Sequence, residues 1–344
     1  MIITGQETLK QYYELAGIRE HSYMVDQGMQ TLLDRTFGAE AFMKAGGGKG
    51  FADIPVGELL DTFFAAWDKQ SIFDGMQFLA DHLAQDKVFH DIYTQDEIAQ
   101  DPTRKETGLA VFPVPGKKPC VLICPGGGYY SVCALPEGYA IAKAVNELGY
   151  NACVLVYRVG AAARYPHPME DLVKAVDFLT LHSAETGIDF DEYTLMGFSA
   201  GGHLAASFGT QSLGYAKYKV KRPGSLVLAY PVITMGQYAH AGSREHLLGK
   251  DRHELAQWQM ACSVEKQITP EYPPTYIWQC EEDPSVPIQN SRMLAEQLQK
   301  HSVPYVYQTW PGAAHGWGLG TGTAAEGWLK TALGWQRNAA GNIS

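Results

Sequence analysis

The sequence predicts an α/β fold: a mostly parallel, eight-stranded sheet with helices on both faces, preceded by an N-terminal helical extension. Three observations carry this. β-rich apolar runs alternate with helical stretches from residue 87 onward. From residue 120 most of those runs are continuously apolar, the pattern of parallel strands covered on both faces. Residues 1–86 contain no convincing strand. Two units are therefore expected, a helical segment over 1–86 and a larger α/β domain over 87–344.

In the extension, Val56, Leu59, Leu60, Phe63, Phe64 and Trp67 recur at the spacing of one helical face, which predicts a helix over 56–68. Ser71, with Asp74 three residues on, offers the N-cap of a second helix carrying Met76, Phe78, Leu79 and Leu83. So apolar a face needs a partner, either the α/β domain or a second subunit, and the segment is expected to cap the mouth of a site or to join a homodimer. The run Gly46–Gly50 with Lys49 reads as a loop, because a phosphate-binding loop needs Ser or Thr after the Lys and a preceding strand.

Strands are expected at 88–93, 109–114, 120–124, 151–157, 193–197, 225–230, 275–280 and 304–309. The first two could pair antiparallel. Helices are expected at 137–148, 168–185, 201–211, 288–301 and 324–337.

Composition excludes several classes of function. Lys plus Arg number 27 and Asp plus Glu 37, a net charge of −10, which disfavours nucleic acid and anionic membrane. A hydrophobic fraction of 46% with 19% charged residues is that of a globular chain. No apolar run reaches the ~18 residues of a membrane span. The opening MIITGQETLKQYYELAG lacks the basic and apolar regions of a signal peptide. Cys120, Cys124, Cys133, Cys153, Cys262 and Cys280 form no C-x-x-C pair, so reduced core thiols and a cytoplasmic location are expected. No metal-ligand spacing is present, and no cofactor is expected.

The chemistry concentrates in a few loops. Gly197-Phe198-Ser199-Ala200-Gly201 stands between a strand and a helix, the context in which a G-x-S-x-G turn exposes a nucleophilic Ser. Pro125-Gly126-Gly127-Gly128-Tyr129 follows the strand 120–124, where backbone amides can approach a substrate without Cβ interference. Gly127, Gly128 and Ala200 are the expected oxyanion donors. A nucleophilic Ser needs a base and the base an orienting acid. His315, in a small-residue loop after the last strand, is the candidate base. His203 lies on the helix after Ser199, its ring facing away from the exposed hydroxyl, and reads as a support behind the site or as core. Asp283, in a loop stiffened by Pro284 and Pro287, is the candidate acid, with Glu281 and Glu282 as rivals. Tyr129, Tyr130, Trp310 and Trp317 lie on loops of the same face, as candidate substrate-binding aromatics. The G-x-G-x-G-T run at 318–323 follows a loop and carries no nucleotide signal.

These motifs resemble the α/β-hydrolase superfamily, and within it the bacterial carbohydrate-esterase-like (xylan acetylesterase-like) carboxylesterases. The resemblance covers roughly residues 87–335. It rests on PGGGYY at 125–130, Glu137-Gly138, VYRV at 156–159, YPHPMEDLVKAV at 165–176, GFSAGGHLAAS at 197–207, AYPVIT at 229–234, GSREHLLG at 242–249, PPTYIWQCEEDPSVPIQNS at 273–291 and PGAAHGWGL at 311–319. Pro125 stands where many esterases carry His before the glycine run. The resemblance implies Ser199 as nucleophile, Asp283 as acid and His315 as base. It also implies a serine esterase acting on short acyl esters, with acetylated plant oligosaccharides as an expected substrate. A serine peptidase of the prolyl-oligopeptidase kind shares this triad order, but 344 residues leave no room for its propeller. A non-catalytic binding protein would have no need of the triad candidates and glycines together.

Overall fold

The structure, a computed structural model, describes residues 3–16, 21–28, 50–63, 67–85 and 87–341. Eight strands form one sheet: β1 (Phe89–His90), β2 (Gly108–Phe112), β3 (Lys118–Cys124), β4 (Asn151–Val156), β5 (Ile188–Phe198), β6 (Ser225–Ala229), β7 (Thr275–Cys280) and β8 (Tyr305–Trp310). Their order is β1-β2-β4-β3-β5-β6-β7-β8. The β1/β2 and β2/β4 pairs are antiparallel, and all others are parallel. This is the mostly parallel, eight-stranded sheet that the alternation of elements predicts. The strands β4, β6 and β7 are buried along their whole length, which accounts for their unbroken apolar sequences, whereas the edge strand β8 is half-buried throughout.

Local chemistry moves several boundaries from their expected places. β1 keeps only two of six expected residues, because Thr94 and Glu97 form a reciprocal capping box that starts a helix at Gln95. β5 begins five residues early. Gly187, at φ 69°, ends the helix His167–Thr186, and Ile188 enters the sheet directly. In the extension, Asp68 rather than Ser71 caps the helix Lys69–Leu83, accepting a bond from the Gln70 amide. The expected 56–68 helix is observed over Val56–Phe63, and residues 64–66, including Phe64, lie outside the described residues, as does most of the Gly46–Gly50 run. The helices Ala241–Leu248 and Ala256–Cys262 had no expectation. Both are short, and the first carries no clear apolar stripe.

The extension packs on the α/β body. Leu59, Leu60, Met76 and Leu79 are buried in the same core as the strands. The helix Lys69–Leu83 crosses the start of the helix Ala140–Glu147 at Gly75, where a Cβ would lie 2.6 Å from the Ala140 nitrogen. Tyr139 donates a bond of 2.6 Å to the carbonyl of Met24. Elsewhere in the body, Arg158 is buried after β4. Its guanidinium binds Asp171 and Glu170 on the helix His167–Thr186, and Asp101 after the first helix of the body. Removing one partner from such a set leaves a buried charge uncompensated. All six cysteines are buried free thiols. Among the described residues, no helix is long and apolar enough to cross a membrane.

The helix Ser199–Phe208 starts against the end of β3, and this contact is testable. A Cβ at Gly201 would stand 2.2 Å from the carbonyl oxygens of both Cys124 and Pro125, backbone atoms that cannot swing aside. Gly201→Ala should therefore cost about 3 kcal/mol, the upper end of overpacking penalties. Gly334→Ala, on the exposed side of the last helix with nothing within 4 Å of the new methyl, should gain up to ~1 kcal/mol. Chemical denaturation of the two variants should move in opposite directions.

Candidate active site

At the end of β5 the chain turns into the helix Ser199–Phe208 through Ser199 itself, whose φ is 50°. An L-residue in the left-handed region stores roughly 1–3 kcal/mol, so its surroundings must hold it there. They do so by close approach. A Cβ at Gly197 would meet the Gly201 carbonyl oxygen at 2.4 Å, and one at Gly202 would meet Pro231. The carbonyl of Ser199 accepts a bond of 2.9 Å from the Val232 amide. Tyr129 (φ 58°) and Tyr230 (φ 39°), after β3 and β6, are left-handed as well. Strained residues thus follow three neighbouring strands, directly after β5 and β6 and five residues after β3.

The structure brings Ser199, His315 and Asp283 together. Ser199 Oγ lies 2.9 Å from His315 Nε2, and His315 Nδ1 lies 2.7 Å from Asp283 Oδ2. In the tautomer these partners select, Nδ1–H donates to the carboxylate and Nε2 accepts from the hydroxyl. The Asp283 side chain is buried. Its Oδ1 accepts from the amides of Ser285 and Val286, each at 2.9 Å, and Oδ2 also accepts from Gln279 Nε2 at 3.2 Å. The rivals Glu281 and Glu282 are exposed, and Glu281 accepts instead from the Thr309 hydroxyl. His203 lies in the core between the Tyr129 hydroxyl and the Cys262 carbonyl, and burial pushes its pKa down to about 4.

A second polar chain, with no assigned role in the sequence reading, braces the site from below. Glu137 is buried. It accepts from the Gly126 amide at 2.8 Å through Oε2 and from the Tyr230 hydroxyl at 2.8 Å through Oε1. Tyr230 in turn accepts from the Gly318 amide at 3.2 Å and sets its ring edge-to-face with His315, 5.0 Å between centroids. One carboxyl group therefore ties the glycine loop, the end of β6 and the His315 loop together. Burial raises its pKa, while the Tyr230 hydroxyl, the charge that His315 can carry and the Gly126 amide draw it down.

Ser199 and His315 open into a cavity of about 400 Å³. Gly127 and Gly128 line it, at φ 122° and 65°, and a Cβ at Gly127 would lie 2.1 Å from the Ser131 carbonyl oxygen. Among the described residues, the amides of Gly127, Gly128 and Ala200 donate to no acceptor. Ala200 is buried in the first turn of its helix. Of the four expected aromatics only Tyr130 reaches the cavity. Tyr129 is buried, with its hydroxyl on His203. Trp310 ends β8 with its ring packed on Trp278, 5.1 Å between centroids. Trp317, past the left-handed Gly316, folds back over Gly312. Tyr129, Trp310 and Trp317, expected at the substrate, thus do not line the cavity, because each ring packs against a neighbour instead.

In their place stand residues that spacing could not find. Trp67, from the extension, lines the cavity and presses on Gly316, where a Cβ would lie 2.5 Å from its Nε1. His240, His246 and Ser285 also face it. His246 stood within a quoted motif, but no local pattern linked it or His240 to Ser199. Among the described residues, no group of three or more His, Cys, Asp or Glu side chains could hold a metal ion.

The BD-FAE family model matches residues 113–298, a span that holds Ser199 and Asp283 and stops short of His315. The chain is 35% identical over 224 residues to endo-1,4-beta-xylanase B of Butyrivibrio fibrisolvens, covering 62% of this chain and 34% of that protein. It is 29% identical over 203 residues to an acetylxylan esterase of Xylanibacter ruminicola, covering 57% of this chain and 40% of the relative. The chain thus spans well under half the length of these two relatives. Among solved structures, an acetyl ester-xyloside bifunctional hydrolase from Caldicellulosiruptor lactoaceticus superposes with a TM-score of 0.66 at 30% identity. That superposition covers 73% of this chain and 96% of the other.

The Glu137 brace makes a prediction independent of any activity. Glu137→Gln places an amide NH2 against one of two donors, so a buried donor loses its acceptor, at a cost of about 1–3 kcal/mol. Tyr230→Phe should cost a similar amount. Because both changes break one network, the double variant should lose clearly less than the sum, read from denaturant unfolding of all four proteins.

Proposed function

The chain belongs to the BD-FAE family, and from that premise we propose that it is a serine hydrolase of carboxylic esters, with Ser199, His315 and Asp283 as its triad. The observation that carries the reading is the continuous hydrogen-bonded line from Ser199 Oγ through His315 to Asp283. Ser199 Oγ attacks the ester carbonyl carbon as His315 Nε2 takes its proton. Asp283 Oδ2 holds Nδ1–H and stabilises the imidazolium that forms. The amides of Gly127, Gly128 and Ala200 receive the oxyanion, each such donor being worth about 3 kcal/mol in the transition state. The C–O bond to the alcohol then breaks, and His315 returns the proton to the leaving oxygen. Water, deprotonated by the same imidazole, attacks the acyl-Ser199 and releases the acid.

The substrate class we infer is short acyl esters, with acetyl groups on plant-derived oligosaccharides foremost. The acetylxylan esterase relative and the acetyl ester-xyloside hydrolase support this choice. A pocket of about 400 Å³ holding Tyr130 and Trp67 suits one or two sugar rings, since aromatic faces stack on pyranoses and polar edges bind hydroxyls. In this reading the extension is a cap that supplies Trp67 to the mouth.

Three outcomes are expected. Ser199→Ala should lower kcat on 4-nitrophenyl acetate at least ~10³-fold with unchanged far-UV circular dichroism, because the nucleophile is lost and the fold retained. An organophosphonate should add one equivalent of mass to the parent protein and none to that variant. Asp283→Asn should cost ~10³–10⁴-fold in kcat, since an amide no longer selects the right tautomer, while Glu281→Gln and Glu282→Gln should stay within about 2-fold. Near-native turnover by Asp283→Asn would transfer the acid to another residue.

A further inference from the structure

We propose that His240 is a specificity-determining residue: a fixed N–H donor on the cavity wall beside Gly128 that binds an oxygen of the alcohol half of the ester. The proposal rests on the esterase reading above and deepens it.

The ring is held by an unusual helix cap. The helix Ala241–Leu248 has His240 at its N-cap, where Nδ1 accepts from the Ser243 amide at 3.2 Å and lies 2.8 Å from the Ser243 hydroxyl. An amide can only donate, so Nδ1 is the acceptor nitrogen and the ring proton sits on Nε2. Burial, together with the positive charge that His315 acquires, lowers the pKa of this ring and keeps it in that neutral tautomer. Among the described residues Nε2 makes no hydrogen bond, and the residue lines the same cavity as Ser199. Its position is close to the glycine loop: a Cβ on Gly128 would stand 3.6 Å from its Cε1. Gly242 lets the ring lie flat against its own helix start, since a Cβ there would come within 3.3 Å of Cε1.

Such a donor asks for an acceptor. In a short acyl ester the carbonyl oxygen is served by the backbone amides, and an acetyl methyl has nothing to offer. The acceptor must then come from the alcohol side: a hydroxyl or ring oxygen next to the ester, as in a partly acetylated pyranoside. An apolar or aryl alcohol seated there would cover Nε2–H without offering it a partner, and a site of that kind discriminates by binding what satisfies it. Tyr130 and Trp67 at the same cavity supply faces for the sugar ring. His246, whose Nδ1 donates to the Gly128 carbonyl at 3.3 Å, ties the helix Ala241–Leu248 to the glycine loop.

The test compares two substrates, monoacetylated xylobiose and 4-nitrophenyl acetate, on the full chain and two variants. His240→Phe keeps a flat ring and removes both the donor and the acceptor that caps the helix. His240→Gln keeps a donor at similar reach. The quantity read is the ratio of kcat/KM on the sugar ester to that on the aryl ester. His240→Phe should lower this ratio about 10- to 100-fold, mostly through a raised KM for the sugar ester, and His240→Gln should restore most of it. Equal losses on both substrates would place the ring at the reacting carbonyl or in the fold and overturn the inference. An unchanged ratio would overturn it too. If the parent chain cleaves the aryl ester but not acetylated xylobiose, the inference falls while the esterase reading stands. Failure on both substrates would remove the reading itself.

Discussion

A serine backbone in the left-handed region can persist only where its neighbours leave it no other path, and that constraint organises this molecule. At Ser199, Gly197 and Gly201 let the helix start press against β5 and the end of β3 so closely that side chains at either position would overlap backbone atoms. The closeness lifts the hydroxyl off the sheet edge and points the first turn of the helix at the space beside it. It also sets where the remaining loops must come to meet it. The strained turn thus stands on the buried second half of β5, where packing is dense enough to hold it.

Around that turn, polar groups of the protein fix one another. Asp283 has its carboxylate filled by two amides, a side-chain amide and the imidazole, so its orientation is set by its own loop. Glu137 serves the glycine loop and, through Tyr230, the His315 loop. Loops positioned this way need little reorganisation when charge develops, the condition under which electrostatic stabilisation works best. The extension adds the one wall that the sheet cannot. Trp67 reaches the cavity because the helices Val56–Phe63 and Lys69–Leu83 pack on the body, and left-handed Gly316 makes room for its ring.

Much of this was legible in the chain. The eight apolar runs announced the strands and their mostly parallel order, because a strand covered on both faces has no solvent side to mark. The G-x-S-x-G turn was readable because strain and close packing demand glycine at set positions, and the rigid loops holding Asp283 and His315 each follow a strand. Errors gathered where a local signal was weak or masked. Thr94 ended β1 by capping a helix, and Asp68 outcompeted Ser71. The charged start of β5 hid a strand that Gly187 had already begun.

The sequence by itself thus determined the order of elements, the elbow and the residue types able to move a proton, because these depend on contacts within a few positions of the chain. Only the tertiary structure decided which aromatics meet the cavity. Tyr129, Trp310 and Trp317 turn into packing while Trp67 and Tyr130 reach it, since a loop side chain follows a backbone direction set by distant neighbours. It likewise gave His240 a place beside Gly128, more than one hundred residues earlier in the chain. Periodicity reports the face an element buries, and it carries no record of which loops the sheet will gather at its edge.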